Sequence, residues 1–396
     1  MNRLVNNIEA VMTGGSDSPF LSLKSFLLMV SMGYGGCVKL RQHFYNRGVL
    51  QSKRLPCVVI SVGNLTLGGT GKTPMTVLVA KHLQRLGYKV VVISRGYKGR
   101  AEKTGGVVSD GQTIFMRPEI SGDEPYLMAT KLEYIPVVVG HDRFEAGMLA
   151  VKKFDPDVLV LDDAFQHLKL VRDIDLVLLD YRRPFGNMHL LPRGILREPI
   201  SALLRGDAFI LTRSDAAGDS ETAIFLKKLK HYLRGKPIFR AFHIPSIQTV
   251  VKGSAVKIER QSESESAVGT EFLQGRRVFA FSGLADNHDF HQTVAGLNCV
   301  VTGSLEFSDH HPYSAIDLEN IVKLATGAKA DCLVTSEKDY VRIARRTIWP
   351  MDLVVLGLES ALGADENNFN TFLQRRLEHL RKEVITKARN FESTKL

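Results

Sequence analysis

Residues 58–86, VVISVGNLTLGGTGKTPMTVLVAKHLQRL, carry the pattern of a strand, a glycine-rich turn and a helix in immediate succession. The β-branched run Val58 to Val62 predicts a buried strand, and Met75, Val77, Leu78 and Leu83 supply the apolar face of the helix. Between them stand Thr66, Leu67, Gly68, Gly69, Thr70, Gly71, Lys72 and Thr73. Glycines let backbone N–H groups approach phosphate oxygens, and a helix N-terminus adds partial positive charge. A lysine there reaches the outer phosphates, and a threonine hydroxyl can hold Mg²⁺. Pro74, just inside the helix start, removes no donor that the helix needs. The general pattern G-x-x-x-x-G-K-[ST] asks for glycine where this chain has Thr66. An ordinary glycine-rich turn is the competing reading, and the order strand, GGTGKT, helix argues for a phosphate cradle instead.

A chain of 396 residues, 44% of them hydrophobic, has room for two packed cores. Strand-like and helix-like runs alternate, which predicts an α/β protein with a mostly parallel sheet. The net charge of +10 fits an anionic partner: nucleotide, nucleic acid, phospholipid surface or phosphorylated substrate. No nucleic-acid-binding motif is present, which removes one of these. Cys37, Cys57, Cys299 and Cys332 have neither C-x-x-C nor metal-ligand spacing, a usage suited to free thiols in a reducing compartment.

Residues 1–19 are polar and Gly/Ser-punctuated, and poor order is expected for them. The apolar stretch Phe20 to Val38 is broken by Lys24, serines and glycines, and is too interrupted to cross a bilayer. Around it Arg3, Lys24, Lys39, Arg41, Arg47, Lys53 and Arg54 face only Glu9 and Asp17, which favours a helix lying on an anionic lipid surface over a buried core helix.

Downstream, KVVVIS (89–94) reads as a strand whose end places Arg95 where ligands of open α/β sheets gather. A small hairpin is expected around Asp110-Gly111, and Asp123 opens a helix as either its N-cap or a functional carboxylate. IPVVVG (135–140) is another buried strand. The strand DVLVL (157–161) ends in Asp162 and Asp163, where a P-loop site keeps its Mg²⁺ carboxylate. DLVLLD (175–180) leads into a Pro- and Arg-rich segment with the composition of a binding loop, followed by a strand at 208–212 and a basic helix around 221–234. SESESAVG (262–269) reads as an exposed loop, and a second α/β set begins at Arg277. The resulting segments are 1–54, a membrane-interface piece; 55–235, the P-loop core; 236–350, a second lobe; and 351–396, a C-terminal strand, helix and basic tail.

Leu67 stands where partitioning-type ATPases carry a second lysine, and no N-K-x-D follows the 208–212 strand, so ATP is favoured over GTP. Taken together, SVGNLTLGGTGKTP (61–74), ISRGYKG (93–99), GDEP (122–125), LDDAFQH (161–167), LLPRGILREP (190–199), DHHPY (309–313) and VTSEKDYVR (334–342) closely resemble the tetraacyldisaccharide 4′-kinase family of the P-loop NTPase superfamily. Thr66 agrees with that family's own version of the loop.

The resemblance implies transfer of the ATP γ-phosphoryl group to the 4′-hydroxyl of a tetraacyl glucosamine disaccharide 1-phosphate. It also implies a peripheral enzyme on the cytoplasmic face of a bacterial inner membrane, without an obligate protein partner in evidence. It assigns Gly68 to Gly71 and Lys72 to the phosphates and Thr73 to Mg²⁺, with Asp162 or Asp163 as a direct or outer partner. Asp123 becomes the base, tuned by His310 or, as the second choice, His311; Arg95, Arg197 and Glu198 become candidate substrate or metal contacts. Lys338, Gln166 and His167 receive no role. A membrane ATPase switch and a non-catalytic nucleotide-binding scaffold are the alternatives.

Overall fold

In the central strands, successive residues enter different cores. Val58, Ile60 and Val62 join one apolar cluster while Val59 joins another, and Val90 and Val92 divide from Val91 and Ile93 in the same way. A strand covered on both faces needs such a continuous apolar run, which a parallel sheet with helices on both sides provides.

The computed structural model describes residues 11–12, 21–214, 227, 229–233, 235–253, 269–343 and 349–393. The strands of the larger sheet are β1 (Val58–Asn64), β2 (Val90–Ser94), β3 (Gly106–Ser109), β4 (Val137–Val139), β5 (Val158–Asp162), β6 (Ile174–Asp180), β7 (Ala208–Thr212) and β8 (Ile238–Arg240). Their order is β3-β4-β2-β5-β1-β6-β7-β8, parallel except for β3 against β4. The smaller sheet contains β9 (Phe242–Val251), β10 (Arg277–Ser282), β11 (Val300–Glu306), β12 (Cys332–Ser336) and β13 (Asp352–Ala361). It runs β11-β10-β12-β13-β9, with β9 antiparallel to β13.

The helices used below are α1 (Leu21–Asn46), α2 (Lys72–Arg85), α3 (Asp123–Lys131), α4 (Arg143–Phe154), α5 (Asn287–Ala295), α6 (Ala315–Gly327), α7 (Glu337–Ile343) and α8 (Glu366–Ser393). Among the described residues no helix is long and apolar enough to cross a membrane.

The sheets divide the chain differently from the expected segments. β8, beyond residue 235, is the edge strand of the larger sheet, and β13, beyond residue 350, lies inside the smaller one. A three-residue strand has no period of its own, and β8 is defined by pairing with β7 and by burial of Phe239. The C-terminal helix is not a separate tail either. Phe369, Leu373 and Leu377 of α8 are fully buried in the cluster that holds Ile60, Val62 and Leu83, and Phe369 meets Phe239 edge-on at 5.1 Å between ring centres. The chain thus crosses between lobes at Ala241 and returns at 362–365. Arg240 N donates to Asp365 Oδ2 at 2.7 Å, tying the two crossings together.

The expected hairpin at 105–116 is reduced to a Ser109–Ile114 bridge, because β3 takes β4 as its strand partner. The polar N-terminus apart from residues 11–12, most of the 221–234 helix and residues 262–268 lie outside the described residues.

Candidate active site

β1 lies between β5 and β6, so the loop after it opens at the middle of the sheet's carboxyl edge, where α/β proteins bind ligands. Gly71 caps α2 with φ +77°, a conformation that favours glycine. A Cβ there would also collide with the imidazole of His243, which β9 brings over the loop. Thr66 has a structural reason to replace glycine. Asn64 Nδ2 donates to Thr66 Oγ1 at 3.2 Å and to Thr70 Oγ1 at 2.8 Å, so the two threonines anchor both ends of the turn. Leu67 to Thr73 all line a cavity of about 880 Å³ between the lobes.

Lys72 emerges among carboxylates. Its Nζ is 3.9 Å from Asp163 Oδ2, and Arg197 Nη1 donates to both Asp163 oxygens at 2.9 Å. Burial works to raise the Asp163 carboxyl, but Lys72 and Arg197 outweigh it and hold it below the usual range. Asp162 is different. It is 3% exposed and, among the described residues, accepts from two hydroxyls, Thr76 Oγ1 at 3.1 Å and Ser94 Oγ at 3.4 Å. Burial, with Glu124 and Asp163 adding to it, pushes its carboxyl well above the usual range. A divalent cation would offset this cost, so Thr73 and Asp162 fit Mg²⁺. Among the described residues no group of three or more His, Cys, Asp or Glu could hold a metal alone. Such an ion would complete its shell with phosphate oxygens and water.

The third part of the site comes from the smaller lobe. Asp123 is not a helix cap: Gly122 takes that position, and no side-chain capping bond is made. The Asp123 carboxylate points instead to His310, with Oδ2 at 3.1 Å from Nδ1. The two neighbouring histidines have separate partners. His311 Nε2 lies 3.0 Å from Asp317 Oδ2 and its ring stacks on Phe307 at 4.6 Å, so it belongs to the start of α6. His310 also meets the Tyr97 ring edge-on at 5.9 Å.

Arg342 is a participant that sequence reasoning missed. Its Nε donates to Asp123 Oδ2 at 2.8 Å, and its Nη2 lies 3.0 Å from His310 Nδ1. An arginine only donates and a carboxylate only accepts, so Nδ1 can serve one of them at a time. Burial alone would raise the Asp123 carboxyl, yet the bonds from His310 and Arg342 bring it below its ordinary value. The signal was present in VTSEKDYVR, but its partner lies 219 residues away.

The remaining candidates are dispersed. Arg95 is half-exposed in the cavity wall and donates to Glu102 Oε1 at 2.7 Å. Glu198 is 3% exposed and accepts from Arg205 Nη2 at 2.6 Å. Its loop runs along the cradle, with Leu67 N donating to Ile195 O and Arg197 N to Leu65 O, both at 2.8 Å. α1 packs on the loop's other side through Ser31 Oγ to Leu190 O, 2.9 Å, and Tyr34 OH to Arg197 O, 2.8 Å.

A glycine cradle at the centre of a parallel sheet, beside an acidic strand end, defines a P-loop nucleotide-binding protein with a second α/β lobe. The profile of the tetraacyldisaccharide-1-P 4′-kinase family matches residues 23–378, and the chain belongs to that family. It is 40% identical over 383 residues to the tetraacyldisaccharide 4′-kinase of Desulfatibacillum aliphaticivorans, covering 96% of this chain and 99% of the relative. It is 43% identical over 349 residues to that of Syntrophus aciditrophicus, covering 86% and 87%. The crystal structure of LpxK from Aquifex aeolicus in complex with ATP superimposes with a TM-score of 0.70 at 31% identity, covering 90% of this chain and 99% of that one.

Proposed function

We propose that this protein transfers the γ-phosphoryl group of ATP to the 4′-hydroxyl of a tetraacyl glucosamine disaccharide 1-phosphate, giving the 1,4′-bisphosphorylated lipid A precursor. The observation that carries this reading is the Asp123–His310 pair, 3.1 Å apart across the lobes, with His310 and Glu124, the residue after Asp123, lining the same cavity as the phosphate cradle.

Phosphoryl transfer depends on positioning and charge neutralisation more than on covalent chemistry. The N–H groups of Gly68 to Gly71 and the Lys72 ammonium hold the phosphates, and Asp163, fixed by Arg197, aims the ammonium. Thr73 and Asp162 would hold Mg²⁺, which draws charge from the phosphates when bound. Asp123 accepts the proton of the acceptor hydroxyl, oriented by Nδ1–H of His310. Arg342 keeps that carboxylate ionised before the acceptor arrives. Arg95, exposed on the acceptor side, meets the anionic substrate. Arg197 and Glu198 act one layer out, through Asp163 and the binding loop.

The protein works peripherally on the cytoplasmic face of the bacterial inner membrane, and two features support this. α1 carries an exposed apolar face with basic residues before, within and after it in the sequence, and no described helix is long and apolar enough to cross a bilayer.

Purified protein incubated with γ-labelled ATP, Mg²⁺ and the acylated disaccharide 1-phosphate in detergent is expected to label the lipid. Release of labelled phosphate without any labelled lipid would replace this reading with the ATPase switch.

A further inference from the structure

Lys338 stands in the VTSEKDYVR stretch and has no part in the chemistry just described. It is the second residue of α7, which begins where β12 ends. Its Nζ lies 2.6 Å from Glu124 Oε1, and Arg342, one helical turn further on, holds the adjacent Asp123. The i and i+4 positions of one short helix thus present two cations to two consecutive carboxylates of the other lobe. Lys131 and Glu337 join the same two helices at 2.5 Å, so α3 and α7 have an ion pair for docking besides this one.

Lys338 and Glu124 both line the cavity that holds Lys72, Thr73 and Asp162. Glu124 is held below its ordinary range by Lys338 first, against its burial, with Lys72 adding to the effect. Its own charge in turn helps to raise Asp162. Glu124 therefore stands within electrostatic reach of a cation from each lobe. Burial works against the charge on Lys338, and Glu124 outweighs it, so the ammonium is kept protonated. On the first-lobe side, Lys72 faces a transferring phosphoryl group whose charge spreads over three equatorial oxygens.

We propose that Lys338 is the second lobe's cation for phosphoryl transfer. Its ammonium contacts the transferring group, Glu124 aims it, and it is in place only when α7 is docked on α3. The bond from the γ-phosphorus to the β,γ-bridging oxygen breaks and the bond to the acceptor oxygen forms. The acceptor's proton goes to Asp123, and Lys338 stays protonated throughout. This rests on the kinase reading for the acceptor, but not for the contact with the γ-phosphate.

The test compares binding of ADP and of β,γ-methylene ATP by calorimetry, with Mg²⁺, in the unaltered protein and in Lys338→Met. The variant is expected to bind ADP as before and the triphosphate analogue about 10-fold more weakly. Turnover on the lipid should fall about 10²- to 10³-fold with little change in acceptor KM, and Lys338→Arg should recover part of it. An unchanged ratio of the two affinities in Lys338→Met overturns the proposal, as does equal weakening of both, the result for a pair that only docks the lobes. Should Lys338→Met fail to fold, amine acetylation of the unaltered protein gives the same answer. Lys338 should be protected more by the analogue than by ADP, and equal protection refutes the contact. A protein that discriminates the two nucleotides through Lys338 yet leaves the lipid unlabelled would overturn the acceptor assignment alone.

Discussion

At the scale of single residues, Asp123 shows how far identity and environment differ. An aspartate at the first turn of a helix is most often a cap, and this one is released from capping because glycine precedes it. Two partners from the other lobe then compete with burial for its proton. Asp123→Ala should reduce turnover about 10³-fold while leaving ATP binding within about twofold, measured by kcat and by calorimetry. Unchanged kcat would remove it as the base. Arg342→Met is more discriminating. A base works when deprotonated, so activity is lost as pH falls through its pKa. Losing Arg342 leaves burial less opposed and raises that pKa, which should move the acid limb of the kcat–pH profile to higher pH. A limb that stays in place would mean that Arg342 does not tune the group being titrated. The resemblance paired Asp123 with His310 but did not name Arg342, because the residues of VTSEKDYVR carry no record of a partner 219 positions away.

At the scale of elements, the motif ISRGYKG serves GDEP directly. A Cβ on Gly99 would lie 2.5 Å from Gly122 N and 2.6 Å from Ile120 O, backbone atoms that cannot rotate away. Gly99→Ala should therefore cost about 1–3 kcal/mol in denaturant unfolding and lower kcat by displacing the start of α3. Wild-type stability and turnover together would show that the two segments are independent. His167, at the end of LDDAFQH, makes an element-level prediction of another kind. Burial, with Arg143 nearby, lowers its pKa to about 4, so it folds as the neutral form. Stability from this group is complete above its unfolded pKa of about 6.5 and is lost as pH falls toward 4. His167→Gln should flatten stability against pH in that window, followed by thermal unfolding at fixed ionic strength, and an equally steep slope would place the acid sensitivity elsewhere. Strand and helix order was legible because strands buried on both faces read as unbroken apolar runs. β8, three residues long, and the return of α8 to the first lobe were not, since both are defined by what they pack against.

At the scale of the whole molecule, α1 has two faces with different owners. Leu27, Ser31, Tyr34 and Gly35 turn toward the protein: Ser31 and Tyr34 bond to the 190–197 loop, and a Cβ on Gly35 would strike Leu190. Phe26, Val30, Cys37, Leu40 and Phe44 recur at three- and four-residue steps, with Gly33 between them, and are exposed. Such a stripe on a lone surface helix gains about 1.5–3 kcal/mol for each large side chain that leaves water. The basic residues Lys39 and Arg41 lie within its span and Arg47, Lys53 and Arg54 follow it in the chain, so an anionic surface should be preferred. Phe26→Ser, Val30→Ser and Leu40→Ser combined should weaken co-sedimentation with phosphatidylglycerol-containing vesicles by at least about 10-fold, with the unfolding midpoint little changed because these side chains are exposed. Binding of the unaltered protein should fall with rising salt and be weaker on zwitterionic vesicles. If the triple variant sediments as fully as the parent, the stripe is not the docking face. The loop that bonds to the inner face of α1 is the same loop that bonds to the phosphate cradle. A helix seated on lipid would therefore keep the cavity, which Tyr34, Val38 and Arg41 of α1 help to line, beside the lipid surface that holds an acylated disaccharide phosphate.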